Sequence, residues 1–352
     1  MSNKKLLIVH KGQLGSLTDS YKWCEILRDK YDITYIELDG PGWQELSGVK
    51  RITVPSKGNR FFRGIRYMIV SCLYMLFFKG AIMVVYFPGC ELYKKLFPWK
   101  RLLLDLRTLS VLKDQTARKK ENEAIRKACQ LYGRYSIIQE DLVKELHIDV
   151  KYYLLPLGAD VISSTSKTFD TLRLLYVGTL EGRHIDETVR GLKAFLMANP
   201  KSYVTYDIIG EGFNDSSEKL RQLVSDLSLS NVIKVHGRKP YNTLKPFFDK
   251  CNIGVSYVPV TPWYDHQPPT KTFEYIMSGM YCLATNTSEN VRIVKTDSGI
   301  VHKDTSQAFA DALSDVYAHM GNLDSLKIRT SISGYSWPEI VNHYLEPILE
   351  EL

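Results

Sequence analysis

The sequence predicts an α/β protein built from two parallel-sheet units of similar size. Three observations carry that expectation. Runs such as KLLIV (5–9), IMVVYF (82–87) and LRLLYV (172–177) are largely apolar without alternation, as strands buried on both faces must be. Stretches with helical period lie between them. The rhythm pauses at LLPLGAD (154–160) and the polar ISSTSKT (162–168), then restarts at LRLLYVG. With 352 residues, the chain also exceeds what one core usually supports.

In chain order the expected strands are 5–9, 33–37, 82–87, 101–106, 135–138, 172–177, 205–209, 232–236, 253–258 and 281–285. The expected helices include 16–30, 184–198, 215–228, 240–250, 306–319 and 337–351. Asp215 and Glu218 have capping-box spacing for the third of these. Gly279 suits the end of a helix that starts near Thr272. Strand–helix alternation on both sides of the break gives two Rossmann-like units facing across a ligand cleft.

Composition excludes several classes. The opening MSNKKLLIVH has an apolar run too short for a signal peptide. The six cysteines form no CxxC pair, so neither a zinc site nor a disulfide framework is expected, and a cytoplasmic setting fits. No GxGxxG, Walker A or HExxH motif occurs. Charge is uneven. Residues 1–157 carry 27 basic and 16 acidic residues, a net +11, while the remainder carries 19 and 23, a net −4. Residues 50–101 hold eleven Lys or Arg against the single acid Glu91. Such a half suits a polyanionic partner, nucleic acid or an anionic leaflet, and no nucleic-acid recognition motif accompanies it.

Doubly wound sheets collect ligands at strand carboxyl ends, so the loops there are the candidate site. HKGQLGSL (10–17) offers Gly12 and Gly15 for close backbone approach, although an ordinary strand–helix turn has the same look. GTLEGRHID (178–186) offers Gly178 and Arg183, whose guanidinium can grip a diphosphate bidentately or simply be solvated. Gly210 and Gly212 follow one strand; His236, Gly237 and Arg238 follow another, and His236 reads better as structural. In YDHQPPTKTFEYIMSGMYCLATNTSEN (264–290), Thr270, Lys271 and Thr272 open a short helix whose N-terminus attracts phosphate. Glu274, one turn in and flanked by apolar neighbours, can accept from two ribose hydroxyls. There is no Asp-x-Asp pair, so no metal or separate cofactor is expected. Arg183, Lys271 and the 270–272 amides then have to stabilise a diphosphate leaving group.

LLYVGTLEGR (174–183), YDIIGEG (206–212), NVIKVHGRKPYNTLKPFFDKCNIGVSYVPV (231–260) and PTKTFEYIMSGMYCLAT (269–285) together resemble the donor-binding domain of family 4 retaining glycosyltransferases. LPLGAD (155–160) and the ending at 335–352 resemble that family too. The likeness covers residues 154–352 strongly and the N-terminal half weakly, through DLRTL (105–109). It implies the GT-B fold, with an acceptor domain at 1–157, a nucleotide-sugar domain at 158–335 and a helix at 336–352 returning to the first. It further implies a UDP- or GDP-sugar donor and transfer with retention to a glycan or lipid-linked acceptor in surface-polysaccharide synthesis. Glu274 matches the second glutamate of the family's E-x7-E motif, which binds ribose. His266 stands where the first glutamate touches the donor sugar, and Thr179 where an arginine is common. Asp105 or Arg107 takes the place of an acceptor-side histidine. Nucleotide-sugar epimerisation and a non-catalytic scaffold are the rival readings.

KGNRFFRGIRYMIVSCLYMLFFKG (57–80) sets Arg60, Arg63 and Arg66 beside Phe61 and Phe62. Its twelve uncharged residues, 67–78, are too few to span a bilayer. A buried helix with a basic entry would read this way, and so would a basic-aromatic ledge peripheral on the inner leaflet.

Overall fold

The computed structural model describes residues 4–40, 45–213 and 215–352. The chain forms two compact units, Met1–Gly158 with Trp337–Leu352, and Ala159–Ser336.

The first unit contains β1 (Lys4–Val9), α1 (Thr18–Leu27), β2 (Tyr31–Leu38), β3 (Val49–Val54), α2 (Arg60–Phe77), β4 (Ala81–Val85) and α3 (Glu91–Leu96). It continues with β5 (Leu102–Leu106), α4 (Gln115–Tyr132), β6 (Arg134–Ile137), α5 (Asp141–Leu146) and β7 (Lys151–Leu154). All seven strands are parallel, in the order β3-β2-β1-β4-β5-β6-β7. The second unit contains β8 (Leu172–Val177), α6 (Ile185–Ala198), β9 (Val204–Ile209), α7 (Ser216–Asp226), β10 (Ile233–Val235) and α8 (Lys245–Lys250). After these come β11 (Ile253–Ser256), α9 (Thr270–Met277), β12 (Tyr281–Thr285), α10 (Ser288–Ile293), β13 (Gly299–His302), α11 (Ser306–His319) and α12 (Ser325–Thr330). Its parallel order is β10-β9-β8-β11-β12-β13. Both orders reverse direction beside the unit's first strand, the switch point where doubly wound sheets hold ligands.

β3, β7 and β13 carry no expected strand. Each lies at a sheet edge with half-exposed residues, so the continuous apolar run is absent. The capping box does not form either. Asp215 sits at φ +57° with no side-chain cap bond, and Glu218 pairs with Arg221 at 2.9 Å instead. The expected helix 240–250 is a 3-10 turn, Tyr241–Thr243, followed by α8. Gly279, at φ +73°, does follow the end of α9.

The C-terminal segment belongs to the first unit: Trp337–Ile340, a π turn Val341–Leu345 and Glu346–Glu350. Trp337 is buried, and any side chain at Gly158 would meet its ring at 2.4 Å. Three lysines hold the far end: Lys30 to Glu346 (2.7 Å), Lys4 to Glu350 (2.5 Å) and Lys151 to Glu351 (2.8 Å).

Helix α2 buries only Tyr67, Ser71 and Met75. Phe61, Phe62, Ile65, Ile69, Leu73, Leu76 and Phe77 are exposed, Phe61 by 70% and Phe77 by 78%. Leu92 and Leu96 of α3 and the following Trp99 are exposed as well. Arg66 donates to the carbonyls of Pro55 and Lys57, whereas Arg60 and Arg63 have no carboxylate partner among the described residues. The segment is therefore not the buried helix that its apolar run also allowed. No described helix is long and apolar enough to cross a membrane.

Helix α9 rides unusually close to its strand. A Cβ at Gly254 of β11 would lie 2.2 Å from the Tyr275 ring, which also stacks on Phe248. The Tyr275 hydroxyl accepts from the Val177 amide at the end of β8 (2.8 Å). Gly254→Ala is expected to destabilise the protein by about 1–3 kcal/mol through overpacking, read from the denaturant midpoint.

Candidate donor site of the second unit

The carboxyl ends of β8, β9, β10 and the start of α9 converge. The Gly178 amide donates to Ile209, and the Gly210 amide to Gly237, so the loops after β8, β9 and β10 are laced together. Their approach leaves no room for side chains. A Cβ at Gly210 would meet the Gly178 carbonyl oxygen at 1.9 Å, and one at Gly178 would meet Lys271 Nζ at 2.7 Å.

Lys271 Nζ donates to the Tyr176 hydroxyl (3.2 Å) and lies 4.2 Å above that ring's centroid. Arg183 sits 4.1 Å above the Tyr264 ring. Neither cation has a carboxylate within ion-pair distance among the described residues. Burial pushes the Lys271 ammonium down to about 7, and the nearby Arg183 charge pushes the same way against a weaker opposite pull from Glu274. The site thus concentrates positive charge where it is poorly solvated. Sequence reasoning missed the aromatic supports; Tyr176 had the look of a buried strand residue, and only the start of the 264–290 stretch pointed to Tyr264.

Glu274 is 9% exposed, and its Oε1 accepts from the Tyr241 hydroxyl at 3.1 Å. His266 is half-buried, with Nδ1 buried and without a hydrogen-bond partner and Nε2 3.7 Å from Asp265. Asp265 in turn accepts from the amide and hydroxyl of Ser288, at 2.9 and 2.5 Å, which pins the 264–270 approach to α10. Thr270 is half-buried at the first turn of α9, which has no side-chain N-cap bond. Arg238 is exposed beside Gly237.

Thr272 needs correcting as a ligand contact. Its hydroxyl is buried, donating to Asn290 (2.8 Å) and meeting Ser256 (2.7 Å), while its amide donates to Pro269. Those bonds tie α9 to β11 and α10. His236 binds Asp207 at 2.6 Å, and Lys250 holds the same carboxylate at 3.1 Å, in keeping with a structural role.

In the first unit, Arg107 pairs closely with Asp19, lies 3.7 Å from Asp105 and donates to the Leu155 carbonyl at 2.8 Å. Asp105 is fully buried, accepts from Ser136 and is pushed up to about 6 by burial. Both side chains are thus enclosed at the carboxyl end of β5, bonded internally. Gly12 and Gly15 form the turn after β1, where the Leu14 amide donates to Glu37 at 2.7 Å and Gly15 takes φ +96°.

Residues 171–319 match the family model described as Glycosyl transferases group 1, a stretch lying wholly inside the second unit. The match makes up most of that unit, so it is the second unit that resembles a group 1 glycosyl transferase. The whole fold is GT-B. It is similar to sucrose-phosphate synthase from Thermosynechococcus elongatus (12% identity, TM-score 0.75, 99% of each chain covered). Anabaena HepE in complex with UDP and glucose is similar at 11% identity and TM-score 0.75, covering 99% of this chain and 100% of that one. The lipopolysaccharide outer core galactosyltransferase WaaB follows at 12% and 0.73, again covering 99% and 100%. No curated protein sequence matches the chain.

Lys271 has a folded-state pKa far below its unfolded value of about 10.5, so between about pH 7 and 10.5 the unfolded chain holds more protons. Its contribution therefore destabilises the fold fully below pH 7, and the penalty fades as pH rises through that window. Lys271→Met is expected to raise the thermal midpoint at pH 6.5, by a margin that shrinks at pH 9.

Proposed function

We propose that the chain transfers a sugar from a nucleoside diphosphate sugar, of the UDP or GDP type, to a glycan acceptor with retention of configuration. The observation that carries this reading is the pair Lys271 and Arg183, two cations without carboxylate partners gathered beside the N-terminus of α9. A diphosphate relieves their mutual repulsion and accepts from the α9 amides, as a developing leaving group requires. Glu274 accepts from the ribose hydroxyls. His266 offers its buried Nδ1 to a donor-sugar hydroxyl. A donor phosphate oxygen takes the acceptor proton, so no protein base is needed. UDP and glucose in the HepE complex, and the lipopolysaccharide role in WaaB's name, support a UDP-sugar donor and a surface-glycan acceptor.

Lys271→Ala and Arg183→Ala are each expected to lower turnover of the matching donor by about 10²-fold, the scale of one preorganised oxyanion donor. Turnover at the wild-type rate in both would overturn the assignment. A thermal-shift screen of UDP, GDP and ADP identifies the base beforehand. Affinity should also depend on pH. A bound diphosphate raises the Lys271 pKa from about 7, so binding takes up a proton above that value. The dissociation constant is expected to be flat just below pH 7 and to rise by up to about tenfold per pH unit above it.

The acceptor in this reading is lipid-linked and reached from an anionic inner leaflet. Support comes from the exposed apolar side chains of α2 and α3, flanked by Arg60, Arg63 and Arg66. Such a helix lies in the interface with its apolar face down. Replacing the three arginines with Ser is expected to weaken binding to phosphatidylglycerol vesicles by about 10²-fold, at roughly 1 kcal/mol per charge. Wild-type protein that ignores these vesicles at low salt would refute the membrane role.

A further inference from the structure

Lys11 comes just after β1, at the switch point of the first sheet, where β1 pairs with β4. The residue is half-buried, with its ammonium 4.1 Å above the centroid of Phe87, in the loop after β4, and 3.5 Å from the Pro88 carbonyl oxygen. Phe87 in turn packs edge-on against Tyr67 of α2, with ring centroids 5.8 Å apart. Arg63 and Arg60 precede Tyr67 by one and two turns, so they share its face of the helix, the face turned toward the Phe87 loop. Burial lowers the Lys11 ammonium, and the charges of Arg60 and Arg63 push it the same way, against Cys90 and Glu91. None of these three cations has a carboxylate within ion-pair distance among the described residues. Arg66 differs, because the carbonyls of Pro55 and Lys57 already engage its guanidinium. The loop is open at Gly89, where a Cβ would meet nothing within 4 Å.

Resting on the reading of the acceptor as lipid-linked, we infer that Lys11, Arg60 and Arg63 bind the phosphoryl headgroup of that lipid. Three cations held without acids beside an open turn suit a phosphoryl group, whose oxygens can accept from all of them. The exposed side chains of Phe61, Phe62 and Ile65 lie alongside on α2 and offer apolar area to the tail. A neutral lipid alcohol would leave the three charges unneutralised, so the site selects lipids that carry phosphate. Arg66 takes no part, since its donors are used within the protein.

The experiment is a set of dissociation constants for farnesyl phosphate, farnesol and inorganic phosphate, with phosphatidylglycerol vesicles in parallel. The wild type is expected to bind farnesyl phosphate more tightly than either of the other two, by about tenfold or more. Lys11→Gln and Arg63→Gln should each weaken farnesyl phosphate about tenfold, the scale of one hydrogen bond to a charged group, and leave farnesol unchanged. Arg66→Gln and Lys271→Ala should leave the farnesyl phosphate constant as it is. Weakening by Arg66→Gln equal to that of Arg63→Gln would mean diffuse attraction and would overturn the proposal. Weakening by Lys271→Ala would move the phosphate to the second unit, with the same consequence. Farnesol or inorganic phosphate binding as tightly as farnesyl phosphate would overturn it too, because the occupant would then be an uncharged lipid or a soluble phosphate. If the wild type docks on the vesicles but shows none of these preferences, the headgroup site falls and the membrane reading stands. If it ignores the vesicles as well, both fall.

Discussion

The seating of α9 on β11 is the contact on which the candidate site depends. Gly254 lets the Tyr275 ring lie against the strand backbone, and the Tyr275 hydroxyl reaches across to the last amide of β8. Thr272 adds a second tether through Ser256 and Asn290. Lys271 and Glu274 project from the same two turns. A sub-ångström shift of this helix would therefore move the ammonium, the carboxylate and the free amides together. The glycines at 178 and 210 serve the same end, because they let the loop after β8 close down on Lys271.

Holding the site in this form costs stability. Lys271 is buried against the Tyr176 ring and near Arg183, with no acid in ion-pair contact among the described residues, which disfavours its charge. The first unit treats its own buried arginine in the opposite way. Arg107 is enclosed with Asp19 and Asp105 and donates to a backbone carbonyl, so its charge is neutralised inside the protein. A buried cation joined to acids secures packing, whereas one left without them is disposed to bind an external anion.

The basic half of the chain has its own logic. Its positive charge falls in the same stretch of chain, around α2 and α3, that exposes apolar side chains. An apolar helix face of this size is uncommon in a monomer without a partner.

The sequence by itself determined the class of fold and most of the central strands, because apolar runs and turn glycines are local signals. It also marked Lys271 and Glu274, which lie one turn apart on one helix. Edge strands such as Val49–Val54 escaped because half-exposed residues blur the apolar run. Tertiary structure alone decided how charges and hydroxyls are used. Arg107 meets an acid 88 positions away in sequence, while Arg183 meets an aromatic ring, and nothing local distinguishes the two arginines. Thr272 turns inward although its neighbours open the helix, and Tyr241 reaches Glu274 from a different loop. Such pairings are set by distances between remote segments, and those distances exist only once both sheets have formed and α9 has been drawn onto Gly254.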